Sequence, residues 1–127
     1  MSPRALRVLV SQDVVPTLWV AHCLDGDLVA QGASFREALD WLPAVLDVAY
    51  GHAQVGAVVF DTAAPAGLIS VFERVEQVGR SFTLVEATQR AEGKPVIFAL
   101  RFPFVARATA PPDLSAIRGA HPLELVG

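Results

Sequence analysis

Leu18 to Tyr50, LWVAHCLDGDLVAQGASFREALDWLPAVLDVAY, restricts the possible folds more than any other stretch of this chain. Thr17 to Cys23 alternates in the manner of a strand, with Leu18, Val20 and His22 on one face and Trp19, Ala21 and Cys23 on the other. Asp25-Gly26 is a hairpin signal, because glycine takes positive φ without a Cβ clash, and Leu28 to Gln31 forms the returning strand. Gly32 ends it. Ser34 with Glu37 then makes a capping box, in which each side chain satisfies a backbone N–H at a helix start. Phe35, Leu39, Leu42, Leu46 and Ala49 draw one apolar stripe along that helix, and Ala38, Trp41, Val45 and Val48 a second beside it. Pro43 removes a backbone hydrogen bond and costs about 3 kcal/mol in a regular helix interior, so a kink or break is expected there.

Upstream, Ala5 to Ser11 alternates Leu6, Val8 and Val10 with Arg7, Leu9 and Ser11, which adds a first strand to the meander. Downstream, Gln54 to Phe60 is expected as a fourth strand. Asp61 or Thr62 then caps a second helix, with Pro65 in its first turn, an apolar stripe of Leu68, Val71, Phe72, Val75 and Val78, and Gly79 as C-cap. Ser81 to Thr88 and Pro95 to Ala106 are expected as two strands of a β-hairpin joined by the polar turn 89–94. Beyond Thr109 periodicity is weak, although Leu114 to Ile117 suits a turn of helix, and residues 110–127 read as a loosely ordered tail.

Composition narrows the function classes. A chain of 127 residues can bury one core without disulfides or a structural metal. Its 53% apolar content and mean hydropathy of +0.44 are high for that length, which suggests burial between subunits. Apolar runs such as Val55 to Phe60 fall far short of the roughly 18 residues of a membrane span. The N-terminus carries no apolar signal core, and one cysteine, Cys23, permits no internal disulfide, so the expected location is the cytoplasm. A net charge of -3, without any Lys/Arg run, argues against nucleic acid as a direct ligand.

Trp19-Val20-Ala21-His22-Cys23, Leu28-Val29-Ala30-Gln31-Gly32 and Ser34-Phe35-Arg36-Glu37-Ala38-Leu39 together resemble the HicB antitoxin family, over about residues 5–50. The resemblance implies an α+β fold: an antiparallel β-β-β-α-β module of the partial RNase H-like type, here extended by a second helix and a β-hairpin. Residues 1–109 would be one domain, with 5–60 as the family-like core and 61–109 as the added helix and hairpin. It also implies a non-catalytic role, binding and neutralising a small basic RNA-cleaving toxin of the HicA type, and homodimers or larger assemblies. No DNA-binding segment is recognisable in the second half, which favours an alternative: an orphan adaptor or self-assembling protein with no toxin partner.

Reactive constellations are scarce. His22 and Cys23 are adjacent on a strand and point to opposite faces, so they cannot share a metal ion or act as base and nucleophile without a bulge. Asp13, Asp25, Asp27 and Asp61 fall in or beside expected turns, where solvated aspartates are ordinary, and no nucleophile elbow or glycine-rich phosphate loop is present. No catalytic, metal or cofactor site is therefore expected. Trp19, Trp41, Phe98, Phe102 and Phe104 are the candidate partner-binding residues, since aromatics are enriched at interfaces. Trp41 leads because it lies off the main helix stripe, and the edges of the 81–106 hairpin are a second candidate surface.

Overall fold

The computed structural model describes residues 4–12, 18–53, 64–78, 81–91, 96–104, 114, 117 and 119–124. The chain runs β1 (Arg4–Gln12), β2 (Trp19–Cys23), β3 (Leu28–Gly32), α1 (Phe35–Ala53), α2 (Ala66–Val78), α3 (Leu84–Ala91), β4 (Val96–Phe104) and β5 (His121–Glu124). The five strands form one sheet in the order β3-β2-β1-β4-β5, and every neighbouring pair is antiparallel. The fold is α+β.

Strand alternation sorts the sheet into two faces as the sequence pattern requires. Leu6, Val8 and Val10 of β1, Trp19, Ala21 and Cys23 of β2, and Phe98, Leu100 and Phe102 of β4 are buried with Phe35, Ala38, Leu39, Leu42 and Leu46 of α1 and with Leu84, Ala87 and Ala91 of α3. The opposite face carries Leu9 and Ala99, which pack with Phe72 and Val75 of α2 and with Leu24 and Ala64. The second half of the chain therefore both extends the sheet through β4 and β5 and builds a separate helical layer. Pro65 starts α2, its carbonyl accepting the Leu68 and Ile69 N–H groups at 2.9 and 3.3 Å. Val71, expected on the stripe, is exposed instead, while Leu68 and Ile69 pack inward.

The β2–β3 connection is longer than a two-residue hairpin, because Cys23 pairs with Leu28 and four residues intervene. Gly26 and Asp27 take positive φ of 95° and 53°. Leu24 does not turn away but donates to the Arg7 carbonyl at 2.9 Å, so its side chain enters the α2-side core.

Three expectations are corrected. Pro43 does not split α1 into two shorter helices: the element runs unbroken from Phe35 through Ala53. The fully buried Leu39, Leu42 and Leu46 span the proline, and their burial, about 1.5–3 kcal/mol each, outweighs its cost of about 3 kcal/mol. The hairpin of 81–106 is absent, because 84–91 is helical. Thr83 and Glu86 form a reciprocal capping box, with Thr83 N–H to Glu86 Oε1 at 3.0 Å and Glu86 N–H to Thr83 Oγ1 at 3.3 Å. Phe82 forms an isolated bridge to Ala120 rather than a strand. Finally, the stretch read as a loose tail contains β5, paired along Val96–Ala99, and the buried Leu114, Ile117 and Ala120. The expected strand 54–60 and the caps Asp61 and Thr62 lie outside the described residues.

Candidate binding surface

Of the five aromatic residues singled out, four are core. Phe98 and Phe102 are fully buried and Phe104 nearly so. Trp19 is 6% exposed and stands edge-on to Phe35, with centroids 6.0 Å apart and planes at 85°; Phe35 in turn tilts against Phe98 at 4.9 Å. These rings join β2, α1 and β4, and they leave nothing for a partner. The edges of the 81–106 hairpin drop out with the hairpin itself.

Trp41 is different. It is 57% exposed on α1, and Val48, seven residues on, is 62% exposed. Seven residues are close to two helical turns, so both sit on one line of the outer surface, with the exposed Ala44 and half-buried Val45 between them. Arg36, Glu37, Asp40 and Asp47 border this line, which gives three carboxylates against one guanidinium. Arg36 Nε donates to Asp40 Oδ1 at 3.2 Å, an exposed pair one turn apart. The result is an apolar stripe in an acidic setting.

Several titratable groups on the sheet and its turn have structural partners. Arg7 holds Asp25 through Nη2 at 2.7 Å and Nε at 3.2 Å, and the Arg7 backbone N–H donates to the same carboxylate at 2.8 Å. That hydrogen bond from the side chain is the main reason the Arg7 guanidinium lies above its ordinary pKa, with burial acting the other way. A raised pKa stabilises the fold below the ordinary guanidinium range and is lost only in strong alkali, so Arg7 adds no pH dependence near neutrality. Arg101 faces Arg7 across the β1–β4 ladder but has its own carboxylate, Glu76, at 3.0 Å, and it lies 5.5 Å from the Phe72 ring centroid. Asp25 is therefore a clamp between strand and turn, which its reading as a solvated turn residue missed. The signal available was Arg7 set among the apolar residues Ala5 to Val10.

His22 and Cys23 point to opposite faces. His22 Nε2 is 2.6 Å from Asp27 Oδ1, whereas Cys23 is buried and its Sγ approaches the Asp25 carbonyl at 3.0 Å. Among the described residues no group of three or more His, Cys, Asp and Glu side chains is placed to hold a metal ion. Nor is any helix among them long and apolar enough to cross a membrane. The arrangement offers contact chemistry: one exposed indole, aliphatic neighbours and a carboxylate border. No family model, no curated protein and no solved structure matches this chain.

Proposed function

We propose that this protein is a non-catalytic, cytoplasmic binding module that acts by laying the outer face of α1 on a partner protein. The observation that carries the reading is Trp41, a large side chain left mostly in water on a helix whose opposite face is fully used by the core. Such aromatic anchors supply 2 kcal/mol or more at interface hot spots, by order of magnitude. The carboxylates of Glu37, Asp40 and Asp47 add a preference for a cationic partner. The HicB-like residues 19–39 support a small basic RNA-cleaving toxin of the HicA type as that partner.

The second reading is self-assembly through the same stripe, which the exposed Val48 beside Trp41 favours. An antiparallel pairing of two copies centred between Pro43 and Ala44 would set Asp40 against the partner's Asp47, and like charges in contact oppose it.

The test is a pull-down from the native cell in mild salt, using the tagged wild type and Trp41→Glu, with light scattering on both. Recovery of a small basic protein by the wild type and its loss with Trp41→Glu, at unchanged melting temperature, is the expected outcome. Equal recovery by both proteins removes α1 as the surface. A wild-type dimer that Trp41→Glu converts to monomer, with no basic protein recovered, replaces the first reading with the second.

A further inference from the structure

β3 is an outermost strand of the sheet formed by the described residues. Which of its backbone groups face outward follows from the ladder. The Leu24 N–H donates to the Arg7 carbonyl, so on β2 the alternate residues His22 and Val20 bond toward β1, and Cys23, Ala21 and Trp19 bond toward β3. Their partners there are Leu28, Ala30 and Gly32. Val29 and Gln31 therefore direct their N–H and C=O groups away from β2, and both residues are exposed. Edge strands are ordinarily blunted by charge, proline or a bulge. β5, at the opposite edge, has Pro122 and Glu124 in its sequence, whereas β3 has neither a charge nor a proline.

The apolar flank of α1 lies over this same edge. At about 100° per residue, Arg36, Asp40, Pro43 and Asp47 fall to one side of the buried line of Leu39, Leu42 and Leu46, and Trp41, Val45 and Val48 fall to the other. Arg36 shares a groove with Thr88 and Ala91, so α3 stands on the Arg36 side. α3 follows Phe82, which bridges to Ala120 next to β5, while α1 rests mainly on β3 and then on β2. The Trp41 flank thus overhangs the β3 edge.

We infer that the β3 edge and this flank together bind a second copy of the chain, with β3 pairing antiparallel to the partner's β3 about a two-fold axis at Ala30. The inference rests on the self-assembly reading of the Trp41 stripe, and it puts an edge-to-edge contact in place of the outer-face pairing that Asp40 and Asp47 oppose. Val29 then stands opposite the partner's Gln31, and the two exchange N–H···O bonds through the groups that β2 does not use. Paired strands lie about 4.8 Å apart, and α1 straddles β3 and β2 roughly half a strand spacing inside the edge. The two α1 axes therefore come about 10 Å apart, within ordinary helix-packing distance. Charge agrees with this geometry. Asp40, Asp47 and Arg36 point away from the axis, and neither β3 nor Trp41, Val45 and Val48 brings a charge to it. A five-residue edge with one helix flank is small for a specific interface, so the dimer dissociates on dilution through the micromolar range.

The test is sedimentation equilibrium of the full-length protein from micromolar to near-millimolar concentration. One variant carries Val29→Lys with Gln31→Lys, the other Val29→Glu with Gln31→Glu. Both positions are exposed, so melting temperatures should stay near wild type. Because position 29 faces position 31 across the axis, each variant sets like charges against itself and opposite charges against the other. The wild type is expected to dimerise, each variant alone to do so roughly tenfold more weakly, and the equimolar mixture to recover wild-type affinity. A mixture that stays as weak as its components would overturn the pairing. Dissociation by Trp41→Glu of a dimer that both strand variants leave intact would keep the self-assembly reading and overturn the edge contact. A wild type that is monomeric throughout, yet protects the Val29 and Gln31 amides from hydrogen exchange, would overturn both and give the edge to another segment of this chain.

Discussion

A Cβ at position 32 would stand 2.5 Å from the Ala38 amide nitrogen and 2.7 Å from the Glu37 carbonyl carbon. Both are backbone atoms of the first turn of α1, so no rotamer change relieves the clash. Alanine is ordinarily better than glycine in a strand, by about 0.5–1 kcal/mol. The steric term is larger, because lifting α1 would unseat Phe35, Ala38 and Leu39 together, and overpacking of this kind costs about 1–3 kcal/mol. Gly32→Ala is therefore expected to lower the urea midpoint; a midpoint at or above wild type would show that the helix does not sit this close. The residue pattern showed that a glycine ends β3, but not why: close approach depends on where α1 lands, which no local pattern contains. Asp25 was obscured for the same reason. Its partner, Arg7, is eighteen residues away, and only the strand pairing brings the two carboxylate oxygens onto the guanidinium.

Among the elements, the meander and α1 were legible because period-2 alternation, a turn glycine and a capping box all agree over residues 5–50. α3 was not, although its signals were present: Thr83 and Glu86 stand at capping-box spacing, and Leu84, Ala87 and Ala91 repeat at three and four. Phe82, Leu84 and Glu86 also fit alternation, and in a segment of eight residues the two periods compete closely. α1 holds the clearer conflict between local and tertiary preference. At Pro43 the Leu39 carbonyl loses its donor, and the element persists only through its buried leucines. Pro43→Ala restores that donor and removes the ring, a gain of up to about 3 kcal/mol. It also frees the unfolded chain, a loss of about 0.4–1 kcal/mol. The net expectation is stabilisation by about 1–2 kcal/mol, read as a rise in melting temperature. A fall would mean that the half-buried proline ring packs in a way that alanine cannot replace.

At the scale of the molecule, the sheet is covered on both faces, and the C-terminal segment decides whether that arrangement is closed. β5 pairs with β4 through Val96–Ala99, Phe82 and Ala120 exchange N–H···O bonds of 2.8 and 3.0 Å, and Ile117 and Leu114 are buried in the α1-side core. The turn expected at Leu114 to Ile117 is present, with the Ile117 N–H donating to the Leu114 carbonyl at 3.1 Å, but the β5 pairing was not apparent from 110–127 taken alone, since a four-residue edge strand carries little period and becomes structure only once β4 offers an edge. A loose tail and an integral one differ sharply in energy. Shortening an exposed tail side chain changes stability by less than about 0.5 kcal/mol. Truncating a buried isoleucine to alanine costs about 2–5 kcal/mol, the transfer of its carbons plus the cavity left behind. Ile117, at 2% exposure, belongs to the second case. Ile117→Ala should thus destabilise the whole domain in a single cooperative transition, by an amount comparable with Leu100→Ala in the central sheet. A change below about 0.5 kcal/mol, or an early separate transition, would instead show the C-terminal segment to be detachable and the sheet to end at β4.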